Sequence, residues 1–302
     1  MQHTLVGRTF LITGGTSGLG FEVVRALADT PATVHFTGLT HDECERAITA
    51  LGTVRAELHA HVLDLGSLAA VRAFADDFRS RCRSLDVLVC NAGVFGRPRA
   101  LTSDGFEGHL GINHLGHFAL TGRLWSSLLA GNAPRVVVVT SAYHRLARLD
   151  LDDPHFERRR YDRVAAYGQS KLANVLFALE LGRRAPAITS VVAHPGYVAT
   201  TLVERGYEDL LMRSITRLGR RFVAQPVERG AQPIVLAATD ASVASGACFG
   251  PCGFLELSGP PTHVEVAPRA RDARMAADLW RWSEEVTGVV FPRDASSDTT
   301  VP

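Results

Sequence analysis

The sequence predicts an α/β fold, a doubly wound parallel sheet of seven strands with helices on both faces. Three observations predict it. Short apolar runs alternate with stretches long enough for crossover helices. A glycine cluster follows the first run, as at a tight strand-to-helix turn. Polar motifs then fall just after most of the later runs, at the carboxyl ends of the strands, where such sheets bind ligands. At 302 residues and 46% hydrophobic composition the chain can build one large core, and no Gly/Ser/Pro-rich stretch marks a join. Residues 1–290 are therefore expected to form a single domain, with a short loose tail over 291–302.

The first strand is Thr9–Ile12, followed by a turn holding Gly14, Gly18 and Gly20 and a helix beginning near Ser17. The second is Thr33–Phe36. The third, Leu58–Leu63, leads into Asp64 and Leu65 and a helix starting near Ser67, for which Asp64 is a candidate N-cap. The fourth, Val87–Cys90, ends at Asn91-Ala92-Gly93, and the fifth, Val136–Val139, ends near Ser141. A long helix over about Tyr161–Arg184 precedes the sixth strand, Ile188–Ala193, and the Pro195-Gly196 pair. A seventh strand is expected near Ala247–Phe249 or Phe254–Leu257, before a last helix over Ala273–Val286. The region Thr201–Gln225 has mixed polarity and several arginines and reads as a substrate lid, about residues 199–226.

Lys+Arg 32 against Asp+Glu 31 gives no electrostatic reason to expect a nucleic acid or an anionic membrane as partner. The run Arg158-Arg159-Arg160 reads as a solvated patch. No run approaches 18 apolar residues, so no membrane span is expected, and the start lacks the charged and apolar segments of a secretory signal. Five scattered cysteines fit reduced thiols and a cytoplasmic location. Cys248 and Cys252 have no second pair or neighbouring histidine, so no metal site is expected.

Two segments carry the chemistry. In Tyr167-Gly-Gln-Ser-Lys171 the phenol and ammonium stand four residues apart on a helix and share a face, at roughly 5–6 Å between Cβ atoms. Leu172, Val175, Leu176 and Leu179 form the neighbouring apolar arc that fixes the helix. A tyrosine's reference pKa is about 10, so holding it ionised near pH 7 needs ~4 kcal/mol; a nearby cation has the right sign to lower it. In Thr13-Gly14-Gly-Thr16-Ser17-Gly18-Leu19-Gly20 the missing side chains let backbone N–H groups approach a pyrophosphate at the positive end of a helix. Alone, the glycines also fit a plain turn, and the Tyr/Lys pair an exposed neighbour pair. Together they point to hydride chemistry. Gly38-Leu39-Thr40-His41 after the second strand offers neither the carboxylate that selects NAD nor the arginine that selects NADP. Without a carboxylate to repel a phosphate, and with Thr40 or His41 able to donate to one, NADP(H) is expected over NAD(H).

Asn91-Ala92-Gly93, Ile112-Asn113-His-Leu-Gly-His-Phe118, Thr140-Ser141, Ala166-Tyr167-Gly-Gln-Ser-Lys171-Leu-Ala-Asn174, His194-Pro195-Gly196-Tyr-Val-Ala-Thr200 and Gly250-Pro-Cys-Gly-Phe-Leu-Glu-Leu257 join the glycine turn in order and spacing. On these stretches, from residue 8 to about 290, the chain resembles the short-chain dehydrogenase/reductase superfamily, specifically its retinol-dehydrogenase-like and WW-domain-oxidoreductase-like branch. The resemblance implies a Rossmann fold. It implies that Tyr167 is the acid/base, that Ser141 orients the substrate oxygen, that Lys171 holds the nicotinamide ribose and lowers the tyrosine pKa, and that Asn113 anchors a water linking Lys171 to solvent. For the cofactor it implies the pyrophosphate at the glycine turn, the adenine at Asp64 beside Leu65, the adenosine side along Asn91, Ala92 and Gly93, and the nicotinamide against Pro195, Gly196 and Thr200.

Two departures from the family pattern stand out: Leu39 where NADP-using relatives carry arginine, and Cys90 in place of a first asparagine. The resemblance implies an NAD(P)-dependent oxidoreductase interconverting a carbonyl and an alcohol, and Val94, Phe95, Tyr143 and Tyr197 are candidates for an apolar substrate wall. It also implies a homodimer or homotetramer pairing through helices near Asp104–Leu129 and Tyr161–Arg184. Two other readings are a catalytically silent cofactor-binding regulator of the same fold, and a nucleotide-sugar epimerase or dehydratase, for which the chain has too little sequence after the sixth strand.

Overall fold

The structure, a computed structural model, describes residues 5–198 and 225–292. Six strands fall within two residues of the expected positions: β1 (Thr9–Ile12), β2 (Thr33–Gly38), β3 (Glu57–Val62), β4 (Val87–Cys90), β5 (Arg135–Val139) and β6 (Thr189–Ala193). The seventh, β7 (Cys248–Pro251), takes the first of the two expected places, and Phe254–Glu256 is instead a 3₁₀ turn. An eighth strand, β8 (Pro261–His263), was not expected. It is three residues long, starts at a proline and pairs antiparallel with β7 at the sheet edge, the one place where a missing N–H is tolerated.

The sheet runs β3-β2-β1-β4-β5-β6-β7-β8, and every pair except β7·β8 is parallel. Strand order reverses at β1, which lies between β2 and β4, so the crevice beyond the carboxyl ends of β1 and β4 is the ligand position of this topology. The two core layers follow from alternation along the strands. In β1, Leu11 faces one layer while Phe10 and Ile12 face the other.

On the second face pack α1 (Gly18–Ala28) and, with α2 (His41–Leu51) beyond them, the helix Val227–Thr239, labelled α8 below. On the first lie α3 (Leu68–Arg81), a composite helix and α7 (Arg163–Arg184). The composite begins as α4 (Gly108–Leu110), passes through a π-helical turn at Gly111–Leu115 that holds Asn113, and continues as α5 (Gly116–Arg123) and α6 (Trp125–Leu129). Such turns widen a helix and re-aim the groups within it.

The last helix, α9 (Ala273–Thr287), lies on α7. Trp280 stacks on Phe177 at 5.8 Å between centroids, meets Phe118 at 5.2 Å and takes Arg184 over its face at 4.9 Å. Within the same chain α9 covers this side of α7. The tail expected to be loose from residue 291 begins with a core residue, since Phe291 is buried against Trp280, Phe118 and Trp125.

Arg159 also departs from the expected solvated patch. Its guanidinium stacks over Phe156 at 3.7 Å and donates to Gln169 Oε1 at 2.7 Å, while the Asp153 carboxylate accepts the backbone N–H groups of Glu157, Arg158 and Arg159. That knot fixes the segment entering α7. Residues 199–224, with Thr200 and nearly all of the expected lid, lie outside the described residues.

At the β2–β3 edge three imidazoles share the α3 face. His35 stacks on His59 and His61, with centroids 4.6 and 5.2 Å away, and its Nδ1 is 3.0 Å from His61 Nε2. Burial first, then the neighbouring imidazoles, pushes the His35 pKa down to about 3. A histidine with a folded pKa below its unfolded value contributes stability that is full above the unfolded pKa and lost as pH falls towards the folded one, at ~1.4 kcal/mol per pH unit per proton. Stability is expected to fall below about pH 6.5, and His35→Phe is expected to flatten that fall by about one proton in denaturant titrations across the range. An unchanged slope in the variant would contradict this account of the stack.

Candidate active site

The helix that carries the Tyr/Lys pair begins where Asp162, in extended conformation, accepts the Ala165 N–H at 2.7 Å, and ends with Arg183 and Arg184 paired to Glu180. Between these ends both Tyr167 and Lys171 face inward. Tyr167 is only 8% exposed, with the Ser141 hydroxyl at the end of β5 close enough to lower its pKa. Ser141 also caps the 3₁₀ turn Ala142–Arg145 by accepting from Tyr143 N at 3.5 Å. Lys171 Nζ donates to Val139 O at 3.1 Å and lies 5.7 Å from the Tyr167 ring centroid. Thr140 Oγ1 returns a bond to Lys171 O at 2.8 Å, which locks α7 to the strand end.

In the free protein burial pushes the Tyr167 phenol up to about 12, with the Ser141 hydroxyl opposing the rise, so the lowering that the resemblance implies is not a property of the empty site. Burial likewise pushes the Lys171 ammonium down to about 8. A dry site disfavours both charged forms.

Asn113 does not present its amide to solvent. Its Oδ1 accepts from Val94 N at 2.7 Å, and its Nδ2 donates to Val94 O at 3.0 Å and Ser170 Oγ at 2.9 Å, so the side chain clamps the segment after β4 to α7. Phe95, next in that segment, meets the Tyr167 ring edge-on at 4.7 Å, and Tyr143 lies 5.7 Å from the same ring. Tyr197 is close enough for its phenol to add to the burial that raises the Tyr143 pKa. Phe95 and Tyr143 thus flank Tyr167, while Val94 adjoins Phe95 in the chain and Tyr197 lies within electrostatic reach of Tyr143.

The crevice beyond β1 has the dimensions of a backbone cradle. A Cβ on Gly20 would stand 2.1 Å from Gly14 O, and one on Gly14, at φ +65°, would press Ala92 at 3.0 Å. Only glycine allows this approach. Gly18, at φ +56°, opens onto free space, and Ser17 at the head of α1 spends no side-chain bond on capping, so that helix end keeps its N–H groups for an anion. The residues present fit a dinucleotide. Thr16 touches the space beside Gly38, and Leu19 and Pro195 O converge at Gly230 of α8. Asn91 Nδ2 donates to Thr13 O at 2.8 Å, bracing β4 against the turn. Cys90 packs beside Thr121 with its thiol pushed up to about 12 by burial, a core role.

Several positions at this end differ from expectation. Asp64 is not an N-cap: it accepts Gly66 N at 2.8 Å, and Ser67 caps α3. Leu65 has its side chain in the core. Leu39 is exposed at the mouth, while Thr40 caps α2 and Glu43 turns back to accept Leu39 N at 2.9 Å. A carboxylate therefore does reach the β2 turn, from a position four residues on.

Two buried networks escaped the sequence reading. His117 Nδ1 must donate to Asn113 O at 3.0 Å, a carbonyl being only an acceptor, so Nε2 accepts from Thr13 Oγ1 at 2.8 Å. Thr13 in turn receives Asn91 N and Ala92 N. Burial holds the His117 pKa down to about 4, in keeping with the neutral tautomer. Behind Tyr167, buried Glu107 accepts from His109 Nδ1 and Tyr161 OH, each at 2.8 Å, and the His109 ring stands 6.2 Å from the Tyr167 ring. The i, i+4 spacing of Asn113 and His117 was the available signal for the first network. The second joins residues 54 apart and had none.

A reversed-order sheet with a glycine cradle at the end of β1 and Ser141 at the end of β5 beside the buried Tyr167 and Lys171 defines an NAD(P)-dependent oxidoreductase. The profile of the short chain dehydrogenase family matches residues 8–210, and the chain belongs to that family. It is 42% identical to polyprenol dehydrogenase of Mus musculus, over 93% of this chain and 84% of that one. It is 35% identical to retinol dehydrogenase 12 of Homo sapiens, over 94% and 88%. A solved structure of an uncharacterised protein from Mycobacterium paratuberculosis superposes with a TM-score of 0.78 at 37% identity, over 97% of this chain and 98% of that one.

Asn113→Ala removes three bonds and leaves the buried Val94 N–H and C=O unpaired. The expected loss is ~2–4 kcal/mol of unfolding free energy, with faster hydrogen exchange at the Val94 amide. A variant with parental stability and exchange would show that the clamp is dispensable.

Proposed function

We propose that the protein interconverts a carbonyl and an alcohol on an apolar small molecule, with Tyr167 as the acid/base. The supporting observation is the buried phenol itself, close to the Ser141 hydroxyl, flanked by Lys171 and facing an aromatic wall. When bound, NAD(P) would supply or accept the hydride, and its oxidised form would bring a positive charge to the site.

The protein's own groups divide the remaining work. Ser141 orients the substrate oxygen. Tyr167, protonated in the free protein with a pKa of about 12, gives its proton to a carbonyl oxygen in reduction and is reprotonated from solvent; in oxidation it first releases that proton to solvent and, as the phenolate, takes the hydroxyl proton. Lys171 holds ribose hydroxyls and tunes the phenol. Asn113 fixes the geometry of Val94 and α7, and its backbone carbonyl accepts from His117 Nδ1. Val94, Phe95, Tyr143 and Tyr197 favour an apolar body on the substrate. Two relatives named for alcohols with long hydrocarbon portions, polyprenol and retinol, support that class.

For the cofactor, we assign the pyrophosphate to the Gly14–Gly20 turn, the adenosine side to Asn91, Ala92, Gly93 and Asp64, and the nicotinamide to Pro195 and Gly196. The NADP(H) preference expected from the missing acid at Leu39 is narrowed by the Glu43 carboxylate at the same turn. Discrimination is therefore expected to stay within about tenfold, ~1.4 kcal/mol, in paired Kd measurements.

Tyr167→Phe is expected to bind the dinucleotide as the parent does and to lose turnover by roughly 10²–10⁴-fold on a carbonyl and alcohol panel. Near-parental turnover would remove Tyr167 from the mechanism, and a parent that binds cofactor but turns over nothing would favour a regulatory role. Gly20→Ala, whose methyl would collide with Gly14 O, is expected to weaken dinucleotide binding about tenfold or more in fluorescence titration, the substitution being strained at a backbone contact. An unchanged Kd would place the pyrophosphate elsewhere.

A further inference from the structure

The stretch Gly250-Pro-Cys-Gly-Phe-Leu-Glu-Leu257 has no role in the site as described so far, yet its backbone is forced into an unusual shape. Leu255 and Glu256 both have left-handed φ, at +51° and +56°, a conformation that L-residues with large side chains avoid. Leu255 is exposed, so no packing of its side chain explains the shape. The conformation delivers the Glu256 carboxylate to two cations or donors at once.

The first is His194, wholly buried at the end of β6, whose Nε2 lies 2.8 Å from Glu256 Oε2. The other ring nitrogen, Nδ1, receives the Gly196 N–H at 3.3 Å, so Nδ1 is an acceptor and the proton sits on Nε2, donating to Glu256. The second is Arg145, whose Nη2 is 2.7 Å from both carboxylate oxygens and 2.6 Å from Glu265 O. Arg145 ends the 3₁₀ turn that Ser141 caps. Although partial burial opposes it, these two partners hold the Glu256 carboxyl below the usual range, so it is charged.

The neighbouring backbone is fitted to the same purpose. Gly196 adopts φ +71°, and a Cβ there would stand 2.6 Å from Leu257 O and 3.0 Å from Glu256 O. Tyr197 N donates to Leu257 O at 2.8 Å. On β7, a Cβ at Gly250 would stand 2.2 Å from His194 Nε2, so the imidazole has room only because that position is glycine.

We propose that Glu256 is a positioning residue for the reaction: by fixing the tautomer of His194 it sets the Pro195-Gly196 turn, and through Arg145 it ties that turn to the segment carrying Ser141. One carboxylate thereby registers the surface assigned to the nicotinamide against the group assigned to the substrate oxygen. This rests on the reading of Pro195 and Gly196 given above. The chain from Glu256 to the Gly196 amide is His194 alone, and each link is a hydrogen bond with a defined donor.

The test compares Glu256→Ala, Glu256→Gln and His194→Gln. Glutamine at 256 still accepts from His194, whereas glutamine at 194 still donates to Glu256 but offers nothing to the Gly196 N–H. Three readouts need no turnover: the Kd for NAD(P)(H), hydrogen exchange at the Gly196 amide, and the ¹⁵N signature of the His194 tautomer. Glu256→Ala and His194→Gln are each expected to raise the dinucleotide Kd and the Gly196 exchange rate by about tenfold, with exchange in β1 and β4 unchanged. Glu256→Gln is expected to keep both within about threefold of the parent and to preserve the Nε2–H tautomer. Should the alanine variant fail to fold, the two glutamine variants carry the same contrast. Parental Kd and Gly196 exchange in His194→Gln, or a uniform rise in exchange across the sheet in Glu256→Ala, would overturn the proposal. Loss of turnover in Tyr167→Phe alongside unmoved Glu256 variants would sink this inference alone. Unmoved turnover in Tyr167→Phe would sink the acid/base reading and leave these readouts standing.

Discussion

Burying a phenol and an ammonium side by side, away from water, opposes the ionisation of both, and the architecture of this protein is organised around holding that arrangement. Tyr167 is pushed up to about 12 and Lys171 down to about 8, each chiefly by burial. A side chain in that state is a proton donor waiting for a charge to change its acidity, rather than a base already formed. Its neighbours have therefore to be placed within hydrogen-bonding distance before any reaction begins, because a dry cleft offers no solvent to repair a misplacement.

That placement comes from strand ends. β5 delivers Val139, Thr140 and Ser141, and α7 returns Tyr167 and Lys171 to them through the Lys171–Val139 and Thr140–Lys171 bonds. β4 delivers Val94 and Phe95, which Asn113 holds from the π-helical turn. β1 delivers Thr13, which gathers His117, Asn91 and Ala92 at one hydroxyl and so joins the glycine cradle to the same turn. α9 closes the outer side of α7 with Trp280, giving the helix a rigid back.

What was legible in the sequence was whatever repeats along it. Apolar runs of a strand's length, the i, i+4 pair and the glycine turn are local patterns, and they located six strands, the long helix and the Tyr167/Lys171 pair on it. Contacts between distant segments left no such trace. The Glu107–Tyr161 bond, the Arg159–Gln169 bond and the cover of α7 by α9 depend on how elements meet, and each overturned or supplemented a reading made from one segment alone. Asp64 and Ser67 show the finer limit: both are good capping residues three apart, and only the backbone decides that Ser67 caps and Asp64 makes the turn before it. The acidity of Tyr167 in the free protein was hidden for a related reason. Sequence spacing reveals the nearby cation but not the depth of burial, and depth is the larger effect here.

The most direct test is an NMR titration of Tyr167 through ring-labelled tyrosine, with Tyr167→Phe to assign the signal, on the free protein and on the protein saturated with oxidised NAD(P). The free protein is predicted to keep this phenol neutral through about pH 10, the ordinary value that burial raises, and the oxidised dinucleotide to move its titration downward. A phenol that ionises near neutrality without cofactor, or whose titration the cofactor leaves in place, would contradict the account.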